Sequence, residues 1–165
     1  MVLWFAGFSW LIVWLVFRDP AFDYRFVLVG TLLPDLVDAP FGGAGVAHTL
    51  GASAVGLVVV MLTTRHRRRV RRSLLAIPIG TMLHLVLDGM WTVTEVFWWP
   101  LFGASFEDAG IPAFDRGFLL IPMEVAGAVA FLWCWRRFGL DDPDRRRLLL
   151  TTGRLDRAVV GPGGD

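Results

Sequence analysis

The sequence has no lysine: all 16 basic residues are arginine, and they stand against 15 acidic ones for a net charge of +1. Charge is scarce, at 19% of residues against about 25% in a typical soluble domain. A single cysteine, Cys134, excludes an internal disulfide and leaves redox compartment unread. No internal repeat is evident, and 165 residues allow one domain. What the chain has in excess is apolar side chains, 55% of the total, and eight tryptophans. The apolar residues gather in long stretches nearly free of charge, the pattern of helices whose solvent is lipid. Several tryptophans flank those stretches, where aromatic rings favour a membrane interface.

Four stretches read as crossings of a bilayer core that takes about 20 apolar residues. The first is Val2 to Phe17, which stops at Arg18-Asp19-Pro20. It lacks the basic start and small-residue cleavage site of a signal peptide and contains Trp4, Trp10 and Trp14, so a retained helix is expected. The second is Val46 to Thr64, the third Ser73 to about Thr94, and the fourth Gly117 to Trp135. Between the first two, Phe26 to Leu33 is apolar but short, and Pro34, Asp35 and Asp38 follow at once. This segment reads as a short re-entrant or interfacial helix ending in a glycine-rich turn at Gly42, Gly43 and Gly45. Residues 103–116 read as a loop. Asp142-Pro143 reads as the cap and first residue of a tail helix reaching about Leu150, and Gly161 to Gly164 as disordered. The expected fold is an all-α polytopic membrane protein of about four transmembrane helices. Residues 1–137 form the membrane-embedded domain and 138–165 a cytoplasmic tail.

Arginine marks the cytoplasmic side of short loops. Thirteen of the 16 arginines lie in residues 65–72 and 136–157, which places both stretches in the cytoplasm. On this map the first crossing starts in the cytoplasm, and residues 18–45 and 95–116 face the other side of a prokaryotic inner membrane. The run at 65–72 reads as a topology and lipid-headgroup element. It lacks interleaved aromatics, so no nucleic-acid partner is expected. Membrane lipids are the expected partners, and the chain is short enough that a homo-oligomer fits. Ala52-x-x-x-Gly56 suits close helix packing without specifying a partner. Cys134 reads as apolar filler.

Against this background the ionisable residues inside the apolar stretches stand out, because each costs about 2.5–3.5 kcal/mol at the centre of a membrane. Asp35 and Asp38 fall in the outer segment, His48 opens the second crossing, and His84 and Asp88 share one face of the third at i, i+4 spacing. Glu124 lies in the outer half of the fourth. Orientation was read from arginine alone, yet these residues gather at one level. Carboxylates with imidazoles suit a divalent transition metal such as Zn²⁺, Mn²⁺ or Fe²⁺. Such an ion lowers the pKa of bound water, and a spare carboxylate, Asp38 or Glu124, takes the proton. The plainer reading is that His and Asp pair to hold helices together; five such residues on one side of one membrane favour the metal.

Three segments also resemble the membrane-bound metal-dependent hydrolase family of the LexA-regulated inner-membrane type. They are Gly30-Thr31-Leu32-Leu33-Pro34-Asp35, Ala47-His48-Thr49-Leu50, and Gly80 to Asp88 with Trp98-Trp99-Pro100-Leu101. The resemblance covers residues 26–103. It implies Asp35, His48, His84 and Asp88 as metal ligands and hydrolysis as the activity. Val37 and Asp38 depart from the family pattern, which has Asp-His there, and Gly43 to Val46 replace its His-Arg-Gly.

The expected function is therefore an integral-membrane metal-dependent hydrolase whose metal-activated water attacks an ester or phosphoester, lipid or lipid-linked, near the non-cytoplasmic face. The alternatives are a metal- or proton-binding transporter and a structural membrane protein without catalysis.

Overall fold

A computed structural model describes residues 1–103, 106 and 116–160. Most of the loop expected at 103–116, and the expected disordered stretch at 161–164, lie outside the described residues. Among the described residues the chain is all-helical, with no strand. The α-helices are α1 (Val2–Phe17), α2 (Tyr24–Asp38), α3 (Leu50–Thr63), α4 (Arg68–Leu74), α5 (Ala76–Leu87), α6 (Thr94–Phe97), α7 (Leu120–Phe138) and α8 (Pro143–Thr152).

Local chemistry sets most of the boundaries. Asp23, Thr49 and Asp142 cap α2, α3 and α8 by accepting from the backbone N–H of Phe26, Ala52 and Asp144. Pro143 occupies the first turn of α8, as its sequence predicted. α4 and α5 abut at Leu75, because Pro78 has no N–H to offer the carbonyl of Leu74. Together they form one apolar rod, Arg68–Leu87. α5 then stops where Gly89 turns left-handed (φ 70°). The third apolar helix thus runs from Arg68 to Leu87 and not from Ser73 to Thr94. The second is likewise shorter than expected, with a 3-10 turn over Val46–His48 before α3 begins.

Two helices, Arg68–Leu87 and Gly117–Phe138, are long and apolar enough to cross a membrane, and Val2–Phe17 and Leu50–Thr63 are shorter apolar helices. Large apolar side chains line the outside of the bundle, among them Val16, Val55, Leu62, Ile121 and Val129, while His48, His84 and Asp88 are almost completely buried. Exposed apolar surface of this extent marks a face that meets lipid or another protein.

The contacts overturn two expectations about chain direction, that the first helix starts at the arginine-rich end and that residues 18–25 lie away from it. Residues 18–25 were expected on the side opposite the arginines; they lie at the basic end. Asp19 pairs with Arg72. Tyr24 donates its N–H to the carbonyl of Gly153 at 2.8 Å, Leu155 donates to that of Pro20 at 2.8 Å, and Arg25 reaches the carbonyl of Leu150 at 2.9 Å. The start of α1 lies at the opposite end, with the indole of Trp4 donating to the carbonyl of Leu87. α2 is therefore no re-entrant dip: it runs about 22 Å from the basic end to the other, through Pro34 without stopping. Arg18 and Arg25 join the thirteen arginines of 65–72 and 136–157, leaving Arg116 alone at the far end. The tail also continues the core, since Phe138, Leu140, Leu149, Leu155 and Val159 are buried in one cluster with Trp10, Trp14 and Tyr24. Cys134 is a buried member of that cluster.

Two pairs of glycines bring helix backbones into contact. A Cβ on Gly7 would sit 2.1 Å from the carbonyl oxygen of Gly127 in α7, and one on Gly30 would sit 2.1 Å from that of Ile77 in α5. Gly80 faces α2 in the same way, 2.6 Å from the Val27 carbonyl oxygen. Gly56, the glycine that the Ala-x-x-x-Gly spacing marked, meets only Pro78 Cβ at 3.8 Å, an ordinary contact. Gly30→Ala should accordingly lower stability by about 1–3 kcal/mol, the usual cost of overpacking, whereas Gly56→Ala should change it by less than about 0.5 kcal/mol; thermal unfolding of both variants in one detergent checks the contrast.

Candidate metal centre

Where α2, α5 and the turn before α3 meet at the end away from the basic cluster, three side chains converge. His48 Nε2 lies 3.4 Å from Asp35 Oδ1, His84 Nε2 lies 3.5 Å from the same oxygen, and the two Nε2 atoms are 3.3 Å apart. Both imidazoles are fully buried and Asp35 is about one-quarter exposed, so the group opens on one side only.

The other nitrogen of each ring fixes what points inward. His84 Nδ1 is 2.7 Å from the carbonyl oxygen of Thr31. A carbonyl can only accept, so Nδ1 carries the proton and Nε2 of the neutral ring presents a lone pair. His48 Nδ1 is 2.7 Å from Asp38 Oδ2, a carboxylate, so this Nδ1 also carries a proton and its Nε2 is turned inward. Asp35 Oδ1 is buried and has no hydrogen-bond partner. Two imidazole nitrogens and a carboxylate oxygen thus face one another, at separations beyond a good hydrogen bond of about 2.7–3.2 Å. A metal ion could be held among these three atoms. Zinc bonds of about 2.0–2.1 Å at tetrahedral angles put donors about 3.3–3.4 Å apart, against about 2.9–3.0 Å for the face of an octahedron of the same bond length. The observed edges lie at the tetrahedral value, and an imidazole whose second nitrogen donates to a carboxylate or carbonyl is the usual metal-binding arrangement.

Each donor is held by specific contacts across the fold. Gly30 and Gly80 let α2 and α5 touch, and that contact brings the Thr31 carbonyl to His84, one turn beyond Gly80. The Phe5 ring stacks on His84, with centroids 4.2 Å apart, and holds its plane. Asp38 gathers the glycine-rich turn: its Oδ2 accepts from the N–H groups of Gly45 at 2.9 Å and His48 at 3.1 Å as well as from the imidazole. A Cβ on Gly45 would come within 3.2 Å of the Asp38 carboxylate, so this turn is shaped around that side chain.

The remaining sequence candidates sit differently. Asp38 orients His48 and is not among the three converging donors. Asp88, at the C-terminal end of α5, is buried and outside the mutual reach of the three. Arg116 Nη2 lies 3.3 Å from its Oδ1 and 2.6 Å from its carbonyl oxygen, and Oδ2 has no partner. Glu124 accepts from Leu3 N–H at 2.9 Å and lies 3.3 Å from the Met1 amino group, so it ties α7 to the start of α1. Sequence reasoning passed over Thr31, Phe5 and Arg116. The first two act through a carbonyl and a ring face, for which no sequence signal exists. Arg116 carried one: it is the arginine that stands apart from the basic end.

No family model matches the chain, and no curated protein or solved structure is significantly similar to it. The resemblance to the metal-dependent hydrolases rests on the residues quoted above.

The geometry assigns unequal costs to substitution. His48→Ala and His84→Ala should abolish metal retention, Asp38→Asn should weaken it about 10- to 100-fold, and Glu124→Gln should leave it intact. Metal content of the purified variants, by plasma mass spectrometry, checks all four.

Proposed function

We propose that the chain is a multi-pass membrane hydrolase in which Asp35, His48 and His84 hold a divalent transition metal, zinc by choice of geometry, near the non-cytoplasmic face. The observation that carries this reading is the convergence of two buried imidazole Nε2 atoms and one carboxylate oxygen within 3.3–3.5 Å of one another. Three protein donors leave one position open, the pattern of catalytic zinc sites as opposed to structural ones. A metal held by Asp35, His48 and His84 would supply Lewis acidity, which lowers the pKa of water and polarises an ester or phosphoester.

The chain's own residues supply the rest. Asp38 and the Thr31 carbonyl hold the two imidazoles in the tautomer that donates from Nε2. Asp88, one helical turn beyond His84 with one carboxylate oxygen unpartnered, is assigned to accept the proton of the attacking water. Arg116, braced by Asp88, offers the positive charge at this end of the bundle for an anionic ester or phosphoester. Phe5 and the buried faces of the two imidazoles keep bulk water to the Asp35 side.

The membrane part of the reading takes α1, α2, α3, the α4–α5 rod and α7 as five crossings, with the arginine-rich end in the cytoplasm. This departs from four crossings because α2 runs the length of the bundle. The shorter helices are matched by local thinning of the bilayer, at fractions of a kcal/mol per Å.

Two measurements test the proposal. Hydrolysis of 4-nitrophenyl esters and phosphoesters should be lost on chelation, restored by zinc, and reduced to background in His84→Ala; turnover that persists without metal contradicts it. For topology, Leu3→Cys and Gly43→Cys should react with an impermeant maleimide on intact cells, and Val70→Cys only after permeabilisation; a split between positions 3 and 43 contradicts the five-crossing arrangement.

A further inference from the structure

Beside the metal centre, α2, α3 and α5 leave a groove of about 280 Å³ lined by Pro34, Ala47, Ser53, Gly56, Pro78 and Thr81. We infer that this groove seats one hydrocarbon chain of the substrate, and so that the substrate is a lipid or lipid-linked ester or phosphoester. The inference rests on the proposed function and names the substrate class for the same site.

Continuity is the first argument. Pro34 and Ala47 are the chain neighbours of Asp35 and His48, and Thr81 lies about one helical turn before His84. One end of the groove therefore borders the metal centre. The second argument is polarity. The lining offers only two hydroxyls, and each is already satisfied: Ser53 Oγ donates to Thr81 Oγ1 at 3.1 Å, and Thr81 Oγ1 donates to the carbonyl of Pro78 at 2.9 Å. Nothing there recognises a polar ligand, and every CH₂ that leaves water for such a surface contributes about 0.8 kcal/mol.

Direction and length agree with a lipid tail. From Ala52 to Val60, which both line the groove, α3 rises about 12 Å toward the basic end. Half the hydrocarbon core of a bilayer is about 15 Å. A lipid of the outer leaflet with its headgroup at the metal centre would lay its chain along this line. Val59 forms part of the wall and is half-exposed, so the groove opens sideways on the apolar outside of the bundle, where a chain can enter from the leaflet.

The test uses hexadecyl phosphate carrying a mid-chain diazirine, in phosphatidylcholine vesicles holding the full-length protein, with diazirine-bearing phosphatidylcholine as the bulk-lipid arm. After illumination, the phosphate probe should label peptides of α3 and α5 at the groove, above the outer face of α7 around Val125 and Val129. Gly56→Phe fills the groove, and Val59→Trp blocks its mouth at an exposed position that folding tolerates. Each should cut groove labelling about tenfold, the worth of roughly two lost methylene contacts, with metal content unchanged. Label spread as evenly as that of the bulk lipid, or undiminished in both variants, overturns the inference. Groove labelling in protein that retains no metal supports the chain seat and contradicts the metal centre, so the two failures are distinct.

Discussion

Two helices can touch backbone to backbone only where side chains are missing from the contact, and Gly30 and Gly80 meet that condition where α2 crosses α5. The meeting of Asp35 with His84 in the candidate metal centre descends from this crossing, while Asp38 and the glycine-rich turn place His48. The crossing brings the Thr31 carbonyl within 2.7 Å of His84 Nδ1, which decides the tautomer of the ring. It sets Asp35, one turn beyond Thr31, beside His84 Nε2. A methyl group at either glycine would part the helices and carry the carboxylate away from the imidazoles. The second glycine contact, Gly7 against Gly127, packs α7 alongside α1 as α1 delivers Phe5 to the face of His84.

The bundle distributes polarity in the way an apolar solvent would reward. Ser9 and Thr31 share a buried hydrogen bond of 2.6 Å between α1 and α2, and Asp38, His48, His84 and Asp88 are buried with them. The outer faces of α3 and α7 carry large apolar side chains. In water this arrangement exposes hydrocarbon and hides charge. In lipid the exposed hydrocarbon costs nothing, and the buried polar groups are tolerated because they partner one another. The unpartnered atoms are then informative: Asp35 Oδ1 and Asp88 Oδ2 are buried acceptors without a donor, and both belong to the polar cluster.

Much of this was legible in the sequence, because hydropathy and arginine placement are strong signals. The bounds of α1 followed from them, the cap and start of α8 followed from Asp142-Pro143, and of the six ionisable residues expected together Asp35, His48 and His84 converge. What was missed had a physical reason. α2 was read as re-entrant because Pro34 and two aspartates interrupt its apolar run. In the bundle that interruption faces other helices, and the helix continues through it. That one reading displaced residues 18–25 to the wrong end, although Arg18 and Arg25 already hinted otherwise. Gly56 was marked by spacing and Gly30 was not, since spacing within one helix does not say which glycine meets a neighbouring backbone. The roles of Asp38 and Glu124 depend on which N–H groups lie within 3 Å, and distance across the fold cannot be read from the chain.

X-ray absorption at the metal edge of the purified wild-type protein examines the central claim most directly, because it counts donors by type. The account requires a shell of nitrogen and oxygen only, at about 2.0–2.1 Å, with outer scattering from two imidazoles. A sulfur shell, or scattering from one imidazole or none, would contradict the centre formed by Asp35, His48 and His84.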